Sequence, residues 1–225
     1  MLRRVGVATA VAVACGVVIG GIGGRIAMFV LRLTSSSAVI GVESDDGFEI
    51  GRISFSTLIL LVLTGVVGAV GGPIYLLLRQ WVPAHWRVGA TAVLAGVIGG
   101  TGLLNPGGVD FTLLSPLWLA VVFFIVIPAG YGAALSVFVE RVLGREAERA
   151  VPWWAFLPNL VLLLFAPAAL MLAAVVLGGW ALGHYVEPVA RWWRSPVVVW
   201  LGRALLVVAL VWFGLALGDD VRAIL

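Results

Sequence analysis

The chain has 225 residues, of which 62% are hydrophobic and 11% charged, with a formal net charge of +3 and a mean hydropathy of +1.15. A soluble domain needs a polar exterior, and this composition does not supply one. Every basic residue is an arginine, which excludes Schiff-base chemistry on retinal or pyridoxal phosphate, because that chemistry needs a lysine amine.

Several runs of about 20 apolar residues predict an all-α fold, a polytopic membrane helical bundle of six transmembrane helices in one integral domain over 1–225. The alternating segments of about ten residues that mark a membrane β-barrel do not occur. The first span is expected over 5–24, with a continuation to Leu33. Its small residues Ala8, Ala12, Gly16, Gly20 and Gly24 recur every four positions. On a helix they form one smooth stripe, along which a second backbone can approach closely enough for van der Waals contact to hold the pair in lipid. Cys15, the single cysteine, lies inside this run, so an intrachain disulfide and a cysteine metal cluster are excluded. Arg3-Arg4 and Ala12-Val13-Ala14-Cys15 loosely match a signal peptide with a lipoprotein processing site. The apolar run and the stripe both continue past the would-be cut, which favours a retained helix.

A polar stretch follows over 34–52, with Glu43, Asp45, Asp46 and Glu49. Asp46-Gly47 between short apolar runs is a hairpin signal. The second span, 54–78, repeats the small spacing at Thr64, Gly68 and Gly72, and Pro73 predicts a kink at its end. Arg79 to Arg87 forms a basic turn. The third span, 88–104, carries the stripe Ala92, Gly96 and Gly100. Asn105-Pro106-Gly107-Gly108-Val109-Asp110-Phe111 reads as a turn-rich loop. The fourth span, 116–139, holds Pro128 and Gly130, which predict a bend or a close contact. The charged run from Glu140 to Ala150 reads as a solvated helix extension. The fifth span is expected over 153–179, opened by interfacial tryptophans and bent at Pro158 and Pro167. His184 to Ser195 fits a segment along the headgroups. The sixth span is expected over 197–217, with a short tail from Gly218.

Six crossings put both termini on one side. Arg3, Arg4, Arg79, Arg87, Arg141, Arg145, Arg149 and Arg222 then face one compartment, and Arg25, Arg32, Arg52, Arg191 and Arg194 the other. The positive-inside rule makes the first compartment the cytoplasm, with the protein in the plasma membrane. The first two spans look like the next two. Ala12-Gly16-Gly20 aligns with Ala92-Gly96-Gly100, and each pair has an outer loop with an acid before a phenylalanine. A parallel repeat of two-helix hairpins follows as an expectation, with the two stripes packing on each other at the centre.

No catalytic constellation is visible: His85 and His184 fall on opposite sides, and neither HExxH, GxSxG nor a phosphate loop occurs. No cofactor or metal motif is evident. Glu43, Asp45 and Asp46 offer calcium-type oxygens, but not at EF-hand spacing. His184, Tyr185, Trp192 and Trp193 suit anchoring better than a quinone headgroup site. Arg203 is the one charge well inside a span. It either snorkels to the outer headgroups or faces the bundle and binds an anionic group. Arg25 and Arg32, seven apart, share a helix face, and the outer acids, Asp45, Asp46 and Asp110 among them, are available to pair with them in a polar cap. The candidate ligand site is therefore Arg25, Arg32 and Arg203 with Asp45, Asp46 and Asp110. The helix-packing set is Ala12, Gly16, Gly20, Gly24, Ala92, Gly96 and Gly100.

With its all-arginine basic set, its Asp45-Asp46-Gly47-Phe48 loop, its Asn105-Pro106 to Asp110-Phe111 loop and its glycine-rich spans, the chain resembles uncharacterised multi-pass membrane proteins of high-GC bacteria, most closely over the first four spans. That resemblance brings no activity with it. The expected function is a non-enzymatic membrane protein binding or moving a lipid-like or small anionic molecule near the outer face. The alternative is an assembly subunit docking on itself or on another membrane protein through its small-residue stripes. A lipid or quinone enzyme ranks below both. Membrane lipids are the expected partners, and nucleic acid is not, because the arginines mark helix ends.

Overall fold

The computed structural model of the chain describes residues 2–35, 55–108, 111–112, 114–145 and 195–225. Among the described residues every regular element is helical. α1 (Leu2–Cys15) passes into a π-helical stretch, Gly16–Ile22, and continues as α2 (Gly23–Thr34). α3 spans Phe55–Trp81 and α4 spans Arg87–Leu103, joined through a single 3-10 turn at Ala84–Trp86. α5 spans Leu117–Arg145 and α6 spans Pro196–Ile224. Among the described residues four stretches are long and apolar enough to cross a membrane: Arg4–Thr34, Thr57–Trp81, Leu117–Gly144 and Pro196–Ile224. α4 has 17 residues, about 25 Å at ~1.5 Å per residue, slightly under the ~30 Å hydrocarbon thickness.

Small residues set the packing. α1 and its π extension lie against α3 backbone to backbone. A methyl built on Gly68 would stand 2.8 Å from the Ala12 carbonyl oxygen, and one on Gly72 would stand 2.6 Å from that of Ala8. Gly16, Gly20 and Gly21 all meet Thr64 across the same joint. The α4–α5 joint is built alike: methyls on Gly96 and Gly99 would stand 3.0 Å from Ala129 Cβ and 2.6 Å from Pro128 Cβ. Away from the two ends of the bundle, many larger apolar side chains point outwards. Leu58, Val62 and Val67 on α3, and Leu201, Leu205, Val208 and Trp212 on α6, are all exposed. An interior of small residues with an exterior of large apolar ones suits lipid, where close backbone contact holds helices together and apolar surface needs no cover.

Hydroxyls inside the helices are satisfied locally: Thr9, Thr64, Thr91 and Thr101 each donate to the carbonyl four residues back, the usual arrangement for a polar side chain on a helix. No buried side-chain polar atom among the described residues lacks a partner. α6 is the least embedded element, with 11% of its most apolar window buried. It is capped by Ser195, whose hydroxyl accepts from the Val198 N–H, with Pro196 in the first turn. Thr101 of α4 ties to it through a hydrogen bond to the Phe213 carbonyl at 3.1 Å.

The two ends of the bundle are distinct. At one, Ala8, Tyr75, Leu135 and Val139 pack together beneath Arg4 and Arg79. At the other, Leu31, Leu104, Phe111, Leu114 and Ile224 form a second apolar cluster. The first is the Arg4 end and the second the Arg32 end.

Several expectations change. The tail from Gly218 is helical as far as Ile224, because burial of Ile224 in the Arg32-end cluster holds the last turns in place. α3 carries Pro73 inside it and runs to Trp81, three residues past the expected end at Leu78. The two glycine stripes do not pack on each other; each faces the helix that follows it. Gly24 lies outside the joint, since a methyl there would meet open space: the wider π turn carries the four-residue repeat off the α3 face after Gly21. α6 begins at the Arg4 end, where Gly202 lies under the Trp81 indole, and finishes at the Arg32 end. The two termini therefore lie at opposite ends of the bundle, not at the same one. The expected span over 153–179, the Asp46-Gly47 hairpin and the segment from His184 lie outside the described residues.

Candidate functional site

Tyr75 and Arg79 stand four apart on α3, and Ser136 and Glu140 four apart on α5, so each pair shares a helix face. The two faces meet at the Arg4 end. The Tyr75 hydroxyl donates to Glu140 Oε1 at 2.7 Å and accepts from Ser136 Oγ at 3.1 Å. Tyr75 and Ser136 are fully buried. Arg79 donates from Nη2 to Glu140 Oε2 at 3.2 Å, and Arg87 from Nη1 to Oε1 at 3.1 Å. One carboxylate thus takes three hydrogen bonds, two of them from guanidiniums. Their side chains are 21–31% exposed, so the pairs are neither fully screened by water nor fully stripped of it.

Arg87 is committed on every side. Its other nitrogens donate to the carbonyls of Arg79 at 3.1 Å and Val82 at 3.3 Å. These carbonyls belong to the last turn of α3 and its exit, where a helix leaves acceptors unpaired and favours a positive charge. Arg203 does the same from α6: its Nε donates to the Trp81 carbonyl at 2.9 Å, and its guanidinium lies 5.0 Å from the Trp200 ring centroid. Two arginines from other helices therefore cap α3.

Beside Glu140 is a cavity of about 170 Å³ lined by Arg4, Arg79, Glu140, Leu143 and Gly144. Arg4 is exposed, and neither its guanidinium nor the remaining nitrogens of Arg79 meet an acceptor among the described residues. Among the described residues, Arg4, Arg79 and Arg87 against the single charge of Glu140 leave two net positive charges. Apart from Asp219 and Asp220, Glu140 is the only carboxylate side chain among the described residues.

The expected ligand set is not assembled. Arg25 donates to Thr57 Oγ1 at 2.7 Å near the Arg32 end, and neither Arg25 nor Arg32 is without further partners. Arg203 is at the opposite end, capping α3, and so joins neither of them. Asp45, Asp46 and Asp110 lie outside the described residues. Of the packing set, Ala12, Gly16 and Gly20 line the α1–α3 joint, Gly96 the α4–α5 joint, and Gly100 meets Ile125 and Leu217; Ala92 is half-buried. The Glu140 cluster was not expected. Its sequence signal is an acid opening a charged run, one helical turn after a serine, matched by Tyr75 one turn before Arg79.

Comparison with family models, with curated proteins and with solved structures finds no match, so a functional reading rests on the chain's own residues.

Proposed function

We propose that the chain is an integral membrane protein that binds a small anionic group, free or carried on a lipid headgroup, between Arg4 and Arg79 at the Arg4 end of the bundle. The observation that carries this reading is the surplus of guanidinium around one carboxylate, beside a cavity that two of those guanidiniums line. Arginine at the level where hydrocarbon gives way to water suits anion recognition, because its planar fork matches carboxylate and phosphate oxygens. The positive-inside bias of Arg4, Arg79, Arg87 and Arg141 supports a cytoplasmic position for this end, and so a site on the cytoplasmic face in place of the expected outer one.

In this reading α4 also crosses the bilayer, its short length matched by neighbours that bury it. Five crossings then lie among the described residues, an odd number that agrees with termini at opposite ends of the bundle. The likeness of the α1–α3 and α4–α5 joints supports a parallel two-hairpin repeat. The docking alternative loses support, since Gly16, Gly68, Gly72 and Gly96 are occupied by contacts within the chain.

Native mass spectrometry of the gently extracted protein tests the reading. Anionic lipid or a small anion should be retained by the wild type and depleted in Arg4→Gln and Arg79→Gln. Identical adducts in all three proteins count against it.

A further inference from the structure

The cavity beside Glu140 has an unequal grip on that carboxylate. Oε1 is held twice, by Tyr75 at 2.7 Å and Arg87 at 3.1 Å, whereas Oε2 is held once, by Arg79 at 3.2 Å. Tyr75 is fixed from behind by Ser136, and Arg87 by the Arg79 and Val82 carbonyls. The Arg79 link is the single one, and Arg79 is also the residue that lines the cavity together with Arg4.

Resting on the anion-binding reading above, we infer that Glu140 is the resident counter-anion of this site, and that an incoming phosphate group takes Arg79 from it while Tyr75 and Arg87 keep the carboxylate. Like charges disfavour one another at this range, so a phosphate between Arg4 and Arg79 competes directly with Glu140 Oε2. Arg79 turns from one anion to the other without leaving either element unpaired: Oε1 retains both of its donors. Phosphate is the ligand class that fits, because two guanidiniums present several N–H groups and phosphate returns several acceptor oxygens, often in bidentate pairs. The volume of about 170 Å³ is below the ~300 Å³ at which ordinary small-molecule sites begin, which suits a single phosphate-bearing headgroup or a free phosphate. Leu143 and Gly144 supply an apolar wall on the same cavity, where the glycerol end of a lipid headgroup would lie.

The counter-anion role makes an unusual prediction about sign. Removing a residue that touches a ligand normally weakens binding, but removing a competitor strengthens it. The experiment uses the full chain in maltoside micelles, which carry no phosphate, titrated with short-chain phosphatidylglycerol and separately with inorganic phosphate. Arg4→Gln should bind about tenfold more weakly, and Glu140→Gln about tenfold more tightly, the size expected of one charge removed a few Å from the ligand at the protein surface. Should Glu140→Gln fail to fold, Glu140→Asp draws the carboxylate back from Arg79 while leaving a charge for Arg87, and tightens binding by a smaller factor. Binding of phosphatidylglycerol alone identifies a lipid headgroup as the source, and binding of both identifies free phosphate as sufficient; either supports the proposal. Glu140 variants that bind equally or more weakly, with Arg4→Gln still impaired, overturn the counter-anion role and leave the anion site standing. No binding by the wild type or by any Glu140 variant overturns both.

Discussion

Gly68 of α3 approaches Gly16 of the π-helical stretch so closely that a methyl on Gly68 would stand 2.9 Å from the Gly16 Cα. Backbone, not a movable side chain, is what such a methyl would strike, with the Ala12 carbonyl oxygen 2.8 Å away on the same side. The helices would have to part, and in lipid no water-driven force pushes them back together.

Gly68→Val is therefore expected to destabilise the bundle by about 2 kcal/mol or more, the scale of overpacking a tight interior. Gly24→Ala is the matched control. Its methyl meets open space, and replacing glycine within a helix gains roughly 0.5–1 kcal/mol. Thermal unfolding in one detergent should separate the two variants in opposite directions from the wild type. Equal midpoints for both would show that the α1–α3 contact does not depend on bare backbone.

The Tyr75 hydroxyl links Ser136 to Glu140, so Tyr75→Phe removes two hydrogen bonds and leaves the buried Ser136 hydroxyl without its acceptor. Hydrogen bonds between membrane helices are modest, averaging about 0.6 and reaching about 1.7 kcal/mol. The expected loss is about 1 kcal/mol. A double-mutant cycle of Tyr75→Phe with Ser136→Ala should give a coupling of about 0.5 kcal/mol or more, the mark of groups in one network. Strictly additive losses would mean the two hydroxyls act independently.

The apolar helices were legible because a run of apolar residues is a local signal. The expected 54–78 and 88–104 agree with Phe55–Trp81 and Arg87–Leu103 to within about three residues, the ordinary uncertainty of helix ends. The stripe was legible for the same reason, as far as Gly20. Its end was not, because the π turn at Gly16–Ile22 changes the angular spacing that a four-residue repeat assumes. The Glu140 cluster was hidden for a different reason. Its members come from α3, α4 and α5, separated by up to 65 residues, and no single helix face contains more than two of them. Glu140 also looked solvated because it was read as opening a solvated helix extension, whereas on α5 it faces Tyr75, Arg79 and Arg87. The partner of Arg203 was hidden too: a backbone carbonyl has no sequence signature, and Trp81 offers one only because α3 ends there.

Arg203 and Gly202 dock the first turns of α6, the most exposed helix, on the end of α3. Arg203→Lys keeps the charge but loses the planar donor that reaches the Trp81 carbonyl and stacks on Trp200, so it should cost about 1 kcal/mol. Gly202→Val meets the Trp81 indole and should cost more. Hydrogen exchange gives the local readout: amides of 196–206 should exchange faster in both variants, while those of the α1–α3 joint keep wild-type protection. Uniform acceleration through the whole bundle would show that α6 is not a separately docked element.

The direction of α6 fixes where the chain's ends go. α3 runs from Thr57, beside Arg25, down to Trp81 at the Arg4 end. α4 returns to Leu104 in the Arg32-end cluster, and α5 descends again to Glu140 and Gly144. α6 then starts beside Trp81 and rises to Ile224, packed with Leu31. In the proposed bilayer the N-terminus and the C-terminus are consequently on opposite sides, the N-terminus cytoplasmic by its arginines. Single cysteines replacing Leu2 and Ala223, each in a Cys15→Ala background, report this directly. A membrane-impermeant maleimide added to intact cells should label the cysteine at 223 and not the one at 2, and the order should reverse in inverted vesicles. Labelling of both positions from the same side would mean that α6 enters the membrane from the Arg32 end, and the Arg203–Trp81 cap would then be impossible.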